Sequence, residues 1–313
     1  MVKQAFFYLK LMDIYKIIAV LILLTSLGCK SNTDKKVEKK QKIEVQGHRG
    51  ERGHFPENTI EAFLSALHKG VDVIELDVII SKDHNVVVSH EPYMSSLYMS
   101  KPTGEAIIKN EEKSFNLYHM DYDSIKTFDS GSRGNKNFPE QQKLKTYKPL
   151  LSEVFNTIES EIKENQLPQI KYNIEIKSKK DAYNIYQPQP GVFVDLVMQV
   201  IKENHMENKV NIQSFDPTAL NILHKKFPNI EIAYLVSKGS IAGNLKHLNF
   251  KPDIYSPNFN LIENKQTVDS LKTLNIKLIP WTINDQKDIK RMIELQVDGI
   301  ITDFPERVMN QLP

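Results

Sequence analysis

Two short stretches carry carboxylates at a spacing that a β-strand turns to chemical use. In Val73-Ile74-Glu75-Leu76-Asp77-Val78 apolar and acidic residues alternate, so an extended backbone puts Glu75 and Asp77 on one face and Ile74, Leu76 and Val78 on the other. Asn173-Ile174-Glu175-Ile176-Lys177 repeats the pattern, with Asn173, Glu175 and Lys177 as the polar face. If both polar faces turn inward, three carboxylates and a lysine share a confined space, where uncompensated charge costs several kcal/mol unless it is paired or bound to a metal. A hard divalent cation suits such an oxygen set. The alternative is a pair of exposed edge strands with ordinary polar faces.

Histidines join this cluster by position. Between the run ending at Ile80 and the next, at 86 to 90, lie only Ser81-Lys82-Asp83-His84-Asn85. That is too short for a crossover helix and predicts an antiparallel hairpin. Pairing Ser81 with Val86 sets Asp77 opposite His90. His48, in Gly47-His48-Arg49-Gly50, ends the first strand beside the second. A lone histidine is more often structural, but two at strand ends beside carboxylates suit general acid–base catalysis, which needs groups titrating near neutrality.

The elements that must position these residues are short β-like runs alternating with helical stretches, the pattern of an α/β fold with a parallel sheet. Strands are predicted at 43 to 47, 72 to 80, 86 to 90, 171 to 177, 210 to 214, 230 to 236, 253 to 257, 276 to 283 and 299 to 302. Helices are predicted near 58 to 69, 150 to 165, 192 to 206, 216 to 226, 264 to 275 and 285 to 296. Setting the 86 to 90 excursion aside leaves eight strands, the count of a (β/α)8 TIM barrel. A doubly wound open sheet is the alternative. Residues 92 to 149 form an insertion carrying Gly131-Ser132-Arg133-Gly134-Asn135.

Composition narrows the function classes. The 313 residues hold 26% charged and 40% hydrophobic side chains with one cysteine, which excludes a disulfide framework and any multi-thiolate zinc site. The net charge of +2 conceals a gradient: residues 1 to 28 carry +2 and Lys30 to Lys42 a further +4, leaving −4 on the body. No nucleic-acid partner is expected, because the basic run lies in a tether and not on a folded surface.

Lys16 precedes the apolar run Ile17 to Leu24, which has the length of a signal-peptide core. The run ends in Thr25-Ser26-Leu27-Gly28-Cys29, which resembles a bacterial lipobox with its leucine displaced by one place. Residues 1 to 28 are therefore expected to be a lipoprotein-type signal peptide, Cys29 the lipidated residue and 29 to 42 a linker to a body over 43 to 313. An uncleaved anchor helix from Phe6 to Leu27 is the alternative, and Met12 is a second possible start. Location in the bacterial cell envelope, periplasmic or surface-facing, follows from the lipid anchor.

Taken in order, His48-Arg49-Gly50, Pro56-Glu57-Asn58-Thr59, Glu75-Leu76-Asp77, Val88-Ser89-His90, Glu175-Ile176-Lys177, Gln213-Ser214-Phe215, Pro280-Trp281-Thr282 and Asp298-Gly299-Ile300-Ile301-Thr302-Asp303 resemble the motifs of the glycerophosphodiester phosphodiesterases, within the phospholipase-C-like barrel superfamily. The resemblance spans about 43 to 313. It implies hydrolysis of a glycerophosphodiester to glycerol 3-phosphate and an alcohol, with Glu75, Asp77 and Glu175 binding Ca2+ or Mg2+. His48 and His90 would be acid and base in an order the sequence leaves open. Arg49 and Lys177 would meet the phosphate, and Trp281 would wall the glycerol pocket or pack at the barrel rim. Gln213 and Asp298 are weaker candidates, and Asn58 reads as a helix N-cap. Glu91 departs from the family's usual aspartate after the second histidine. Two other functions fit: a phospholipase acting on lysophospholipids or phosphatidylinositol-like lipids, suited by Tyr93, Met94, Leu97, Tyr98 and Met99 in the insertion, or a catalytically silent surface binding module.

Overall fold

The computed structural model describes residues 42–312, so the predicted signal peptide, Cys29 and nearly all of the linker lie outside the described residues. Among the described residues, no helix is long and apolar enough to cross a membrane. The described residues form nine strands: β1 Glu44–Gly47, β2 Val73–Ile80, β3 Val86–Val88, β4 Lys171–Ile176, β5 Val210–Ser214, β6 Glu231–Val236, β7 Ile254–Pro257, β8 Lys277–Leu278 and β9 Gly299–Thr302. All but β3 run parallel in the order β8-β7-β6-β5-β4-β2-β1-β9. The two end strands meet through Asp298 N to Leu278 O at 2.9 Å, Ile301 N to Pro280 O at 3.0 Å and Ile283 N to Ile301 O at 3.0 Å. They form no continuous ladder, because Pro280 has no N–H to give. The result is a nearly closed (β/α)8 barrel. It also shortens the strand expected at 276 to 283 to Lys277–Leu278.

The outer layer comprises α1 Ile60–Lys69, the single turn α2 Tyr122–Ile125, α3 Leu151–Glu164, α4 Pro190–Glu203, α5 Pro217–Lys226, α6 Ile241–Leu245, α7 Lys265–Thr273, α8 Gln286–Leu295 and α9 Pro305–Met309. The short helices α6 and α9 escaped the periodicity, since five residues are little more than one turn. Each long helix turns an apolar stripe onto the outward face of the barrel. Phe155 of α3, for example, meets Tyr172 of β4 edge-on at 5.1 Å, both fully buried. The predicted capping of α1 is corrected by one residue: Thr59 is the N-cap, its side chain accepting from the Ala62 N–H. Asn58 is thereby free for a different task.

The hairpin forms, but in a different register. Val78 pairs with Val88 and Ile80 with Val86, so Asp77 faces Ser89, whose N–H donates to the Asp77 carbonyl at 2.9 Å. His90 lies one residue beyond. The cause is the turn: Ser81 closes on Asn85 at 3.0 Å, and His84 at φ 63° takes the left-handed position of a three-residue loop. The last residues of β2 carry the hairpin and the insertion with it. Ile79, on the same face of β2 as Asp77, and Val87 of β3 anchor a second apolar cluster with Met94, Tyr98, Met99, Ile107, Leu117, Tyr122, Ile125 and Phe128. Tyr93 and Leu97 pack against it. Of the residues that suggested a lipid-contacting face, Met94, Tyr98 and Met99 are therefore core of the insertion, and Tyr93 and Leu97 are partly buried against it.

A tight turn after β1 sets the approach of the first loop to α1. Gly50 sits at φ 85°, and a Cβ there would lie 2.6 Å from the Ala62 backbone. Gly50→Ala combines positive-φ strain with a backbone clash, and is expected to lower stability by about 1–3 kcal/mol, read as a fall in the urea midpoint at unchanged m.

Candidate active site

Parallel pairing builds the carboxylate cluster. In the β2–β4 register Asp77 lies beside Glu175 and Glu75 beside Asn173, so Glu75, Asp77 and Glu175 project together into the barrel. All three are buried, and one oxygen from each lies within 4.8 Å of the others. Burial, with the charges of Asp77 and Glu175, holds the Glu75 carboxyl well above its usual range. Asp77 is held well below it: burial opposes this, but the Lys177 and Arg49 charges prevail. Asp77 Oδ1 is buried and accepts no hydrogen bond, with Lys177 Nζ 3.5 Å away. Three crowded carboxylates with an unfilled oxygen fit a hard divalent ion. A second group, Glu51, His54 and Glu306, holds two carboxylates where the first holds three and is fully buried at only one of its three residues.

The barrel interior beneath the cluster is amide-lined. Gln213 donates to Glu75 Oε1 at 2.8 Å, and Asn173 donates to both Gln213 at 3.1 Å and Gln46 at 2.8 Å. Asn211 donates to Asn173 at 2.6 Å. These groups satisfy one another in a space that Val, Ile and Leu usually fill, and they orient Glu75. The freed Asn58, at φ 57°, donates to Asp77 Oδ2 at 2.9 Å and accepts from the Asp77 N–H at 3.2 Å.

His48 follows β1, and β1 pairs with β9 so that Gly47 faces Thr302. This sets His48 beside Asp303, with Nδ1 2.7 Å from Asp303 Oδ1. With Nδ1–H donating to that carboxylate, Nε2 faces the cluster, 4.0 Å from Glu75 Oε2. Burial drives the His48 imidazolium down to about 4 against the pull of Asp303, so the ring is neutral at neutral pH. Asp303 is itself fixed by Arg52, Nε at 2.8 Å and Nη2 at 3.1 Å, and by Asn284 at 2.7 Å. His90 Nδ1 lies 3.0 Å from Glu91 Oε1, so the residue that departs from the family pattern supports the histidine directly.

These groups line a cavity of about 140 Å3 with His48, Arg49, Arg52, Glu75, His90, Glu175, Lys177, Gln213, Phe215 and Trp281 on its walls. Lys177 Nζ reaches Glu175 at 2.8 Å. Arg49, expected to meet the phosphate, lines the cavity with its guanidinium buried against Glu57 at 2.6 Å and Asp77 at 3.3 Å. Trp281 lines the cavity and also packs, donating to the Ser256 carbonyl at 2.9 Å and meeting Phe215 edge-on at 5.4 Å. Asp298 lies at the opposite end of β9, where it accepts from the Leu278 N–H at 2.7 Å, and is absent from this cavity. The reading of the residues assigned no role to Arg52 or Asp303. The available signal for Asp303 was a carboxylate one place past a strand that neighbours the strand ending in His48.

A model of the glycerophosphoryl diester phosphodiesterase family matches residues 48–307. The chain belongs to this family. A glycerophosphodiester phosphodiesterase from Caldanaerobacter subterraneus subsp. tengcongensis is 34% identical over 269 residues, 85% of this chain and 96% of its own length. The fold is shared with a solved Silicibacter pomeroyi protein at TM-score 0.76 and 26% identity, covering 86% of this chain and 92% of that one. It is also shared with an Oleispira antarctica phosphodiesterase solved with its product sn-glycerol-3-phosphate, at TM-score 0.67 and 21% identity, covering 85% and 95%. As a member of the glycerophosphoryl diester phosphodiesterase family the chain is a phosphodiester hydrolase, and its buried carboxylates form a group that could hold a divalent metal.

Proposed function

We propose that this enzyme hydrolyses small glycerophosphodiesters to glycerol 3-phosphate and an alcohol, using His48 as general base and His90 as general acid. The observation that carries the reading is the buried carboxylate trio flanked by two histidines, each backed by its own carboxylate. Glu75, Asp77 and Glu175 would hold Ca2+ or Mg2+, which polarises a phosphoryl oxygen and offsets the charge that grows in the transition state. His48, neutral and locked through Nδ1 by Asp303, would take at Nε2 the proton of a water molecule whose oxygen bonds to phosphorus. His90 then gives a proton to the departing alkoxide oxygen as the phosphorus–oxygen bond to the alcohol breaks. Lys177, Arg49 and Arg52 face the phosphate from the cavity wall, and Trp281 bounds the glycerol end. The test is release of glycerol 3-phosphate from glycerophosphocholine with Ca2+, with Mg2+ and with chelator, beside a lysophospholipid. Turnover that ignores the chelator, or that is confined to the lysophospholipid, overturns the reading.

We further propose that Cys29 carries a lipid anchor and that Lys30 to Lys42 is a solvated tether holding the barrel at a bacterial envelope membrane. Its support is the apolar run closed by the one cysteine of the chain. Cys29→Ala is expected to leave an unlipidated precursor. Mass spectrometry of the N-terminus decides it, and a wild-type chain without acyl groups rules the anchor out.

A further inference from the structure

The insertion meets the active site at Glu91, the residue that immediately precedes it. This carboxylate spans two partners: Oε1 lies 3.0 Å from His90 Nδ1, and Oε2 accepts from the Tyr98 hydroxyl at 3.1 Å. Tyr98 enters from the start of the insertion, its ring buried in the insertion's own apolar cluster. Lys148 enters from the far end. It is 3% exposed, donates to Ser89 Oγ at 2.8 Å and stands over the Tyr98 ring at 5.8 Å. Ser89 Oγ in turn donates to the Glu91 carbonyl at 2.6 Å. Next to Lys148, the Val88 N–H donates to the Pro149 carbonyl at 2.8 Å, so the strand leading into His90 is stitched to the end of the insertion. Burial disfavours the Glu91 carboxylate, yet the hydrogen bond from His90 with the charges of His90, Lys148 and Arg49 holds it ionised.

We propose that Tyr98 and Lys148 are positioning residues for His90, acting through Glu91, so that the folded insertion is part of the device that aims the proton donor. A buried lysine and a buried tyrosine hydroxyl are costly to hold unless paired. Here the tyrosine hydroxyl bonds the Glu91 carboxylate that touches the His90 ring, and the lysine reaches the Glu91 carbonyl through Ser89 Oγ. Supporting groups of this kind fix ring orientation, and their loss typically costs about 10- to 100-fold.

The inference rests on the reading of His90 as general acid, and the test separates the two. Tyr98→Phe keeps the ring in the core and removes only the hydroxyl; Lys148→Met keeps the length and removes the charge. On glycerophosphocholine each is expected to lower kcat about 10-fold with KM changed less than about twofold. On a nitrophenyl phosphodiester, whose leaving group needs little protonation, the loss should largely vanish. In a His90→Ala background Tyr98→Phe should lower kcat no further, because there is no ring left to aim. A His90→Ala enzyme with wild-type turnover removes the acid role and this proposal with it. If His90→Ala is impaired while Tyr98→Phe has full activity, or loses equally on both substrates and in both backgrounds, the proposed function stands and the positioning role is wrong. Should Lys148→Met fail to fold, Tyr98→Phe alone decides.

Discussion

Replacing Glu75, Asp77 or Glu175 by Ala is expected to abolish turnover while leaving the barrel folded, because each supplies one oxygen to a shared buried cluster and none contributes to the apolar core. The sharper measurement is thermal. An ion that binds only the native state at a hundredfold excess over its Kd stabilises it by about 2.7 kcal/mol, which for a domain of this size raises the melting temperature by roughly 5–10 °C. Wild type should show such a shift with millimolar Ca2+ or Mg2+ and lose it in chelator. Glu75→Gln is the instructive variant. It keeps the shape, and removing a charge that Asp77 and Glu175 repel should leave the metal-free protein as stable as wild type or more so, with the ion-dependent shift gone. A wild-type melting temperature indifferent to both ions would overturn the metal assignment.

Each histidine should matter to turnover far more than to binding. Losing a positioned proton donor or acceptor typically removes about 10²- to 10⁴-fold in rate, so His48→Ala and His90→Ala are each expected to lower kcat on glycerophosphocholine by that order with KM little changed. The nitrophenyl substrate divides them. It should restore much of the lost rate to His90→Ala and none to His48→Ala, since an acidic leaving group replaces the acid and leaves the base still required. Rescue of the opposite variant would exchange the two roles; near-wild-type turnover in both would show that the rings are structural. Asp303→Asn extends the argument to the group that holds the base. Losing the carboxylate that fixes the Nδ1–H tautomer should cost about 10- to 100-fold in kcat, and circular dichroism identical to wild type is required for that reading.

Much of this site is legible in one dimension because the signals are local. Alternation in a strand is a property of the extended backbone, so Glu75 and Asp77 share a face whatever surrounds them, and Glu175 with Lys177 likewise. Eight parallel segments with intervening helices leave few ways to arrange the sheet, which is why the barrel and its metal-ligand candidates follow from spacing and order.

What only the tertiary structure decided are the contacts that cross the chain. Asp303 and His48 are 255 residues apart and meet because β9 lies beside β1 in the barrel. Gln213 reaches Glu75 across 138 residues by projecting into the same interior. The hairpin register turned on the left-handed conformation of one loop residue, His84, and a shift of one place moved the strand residue opposite Asp77 from His90 to Ser89. Asn58 changed role because the helix began one residue later than its cap chemistry suggested. Tyr98 and Lys148 came to Glu91 through the packing of an insertion whose own apolar core has no strand or helix period to announce it. Periodicity specifies which way a side chain points from its own backbone. What it points at is set by strand neighbours, loop dihedrals and packing, and these exist only once the chain has folded.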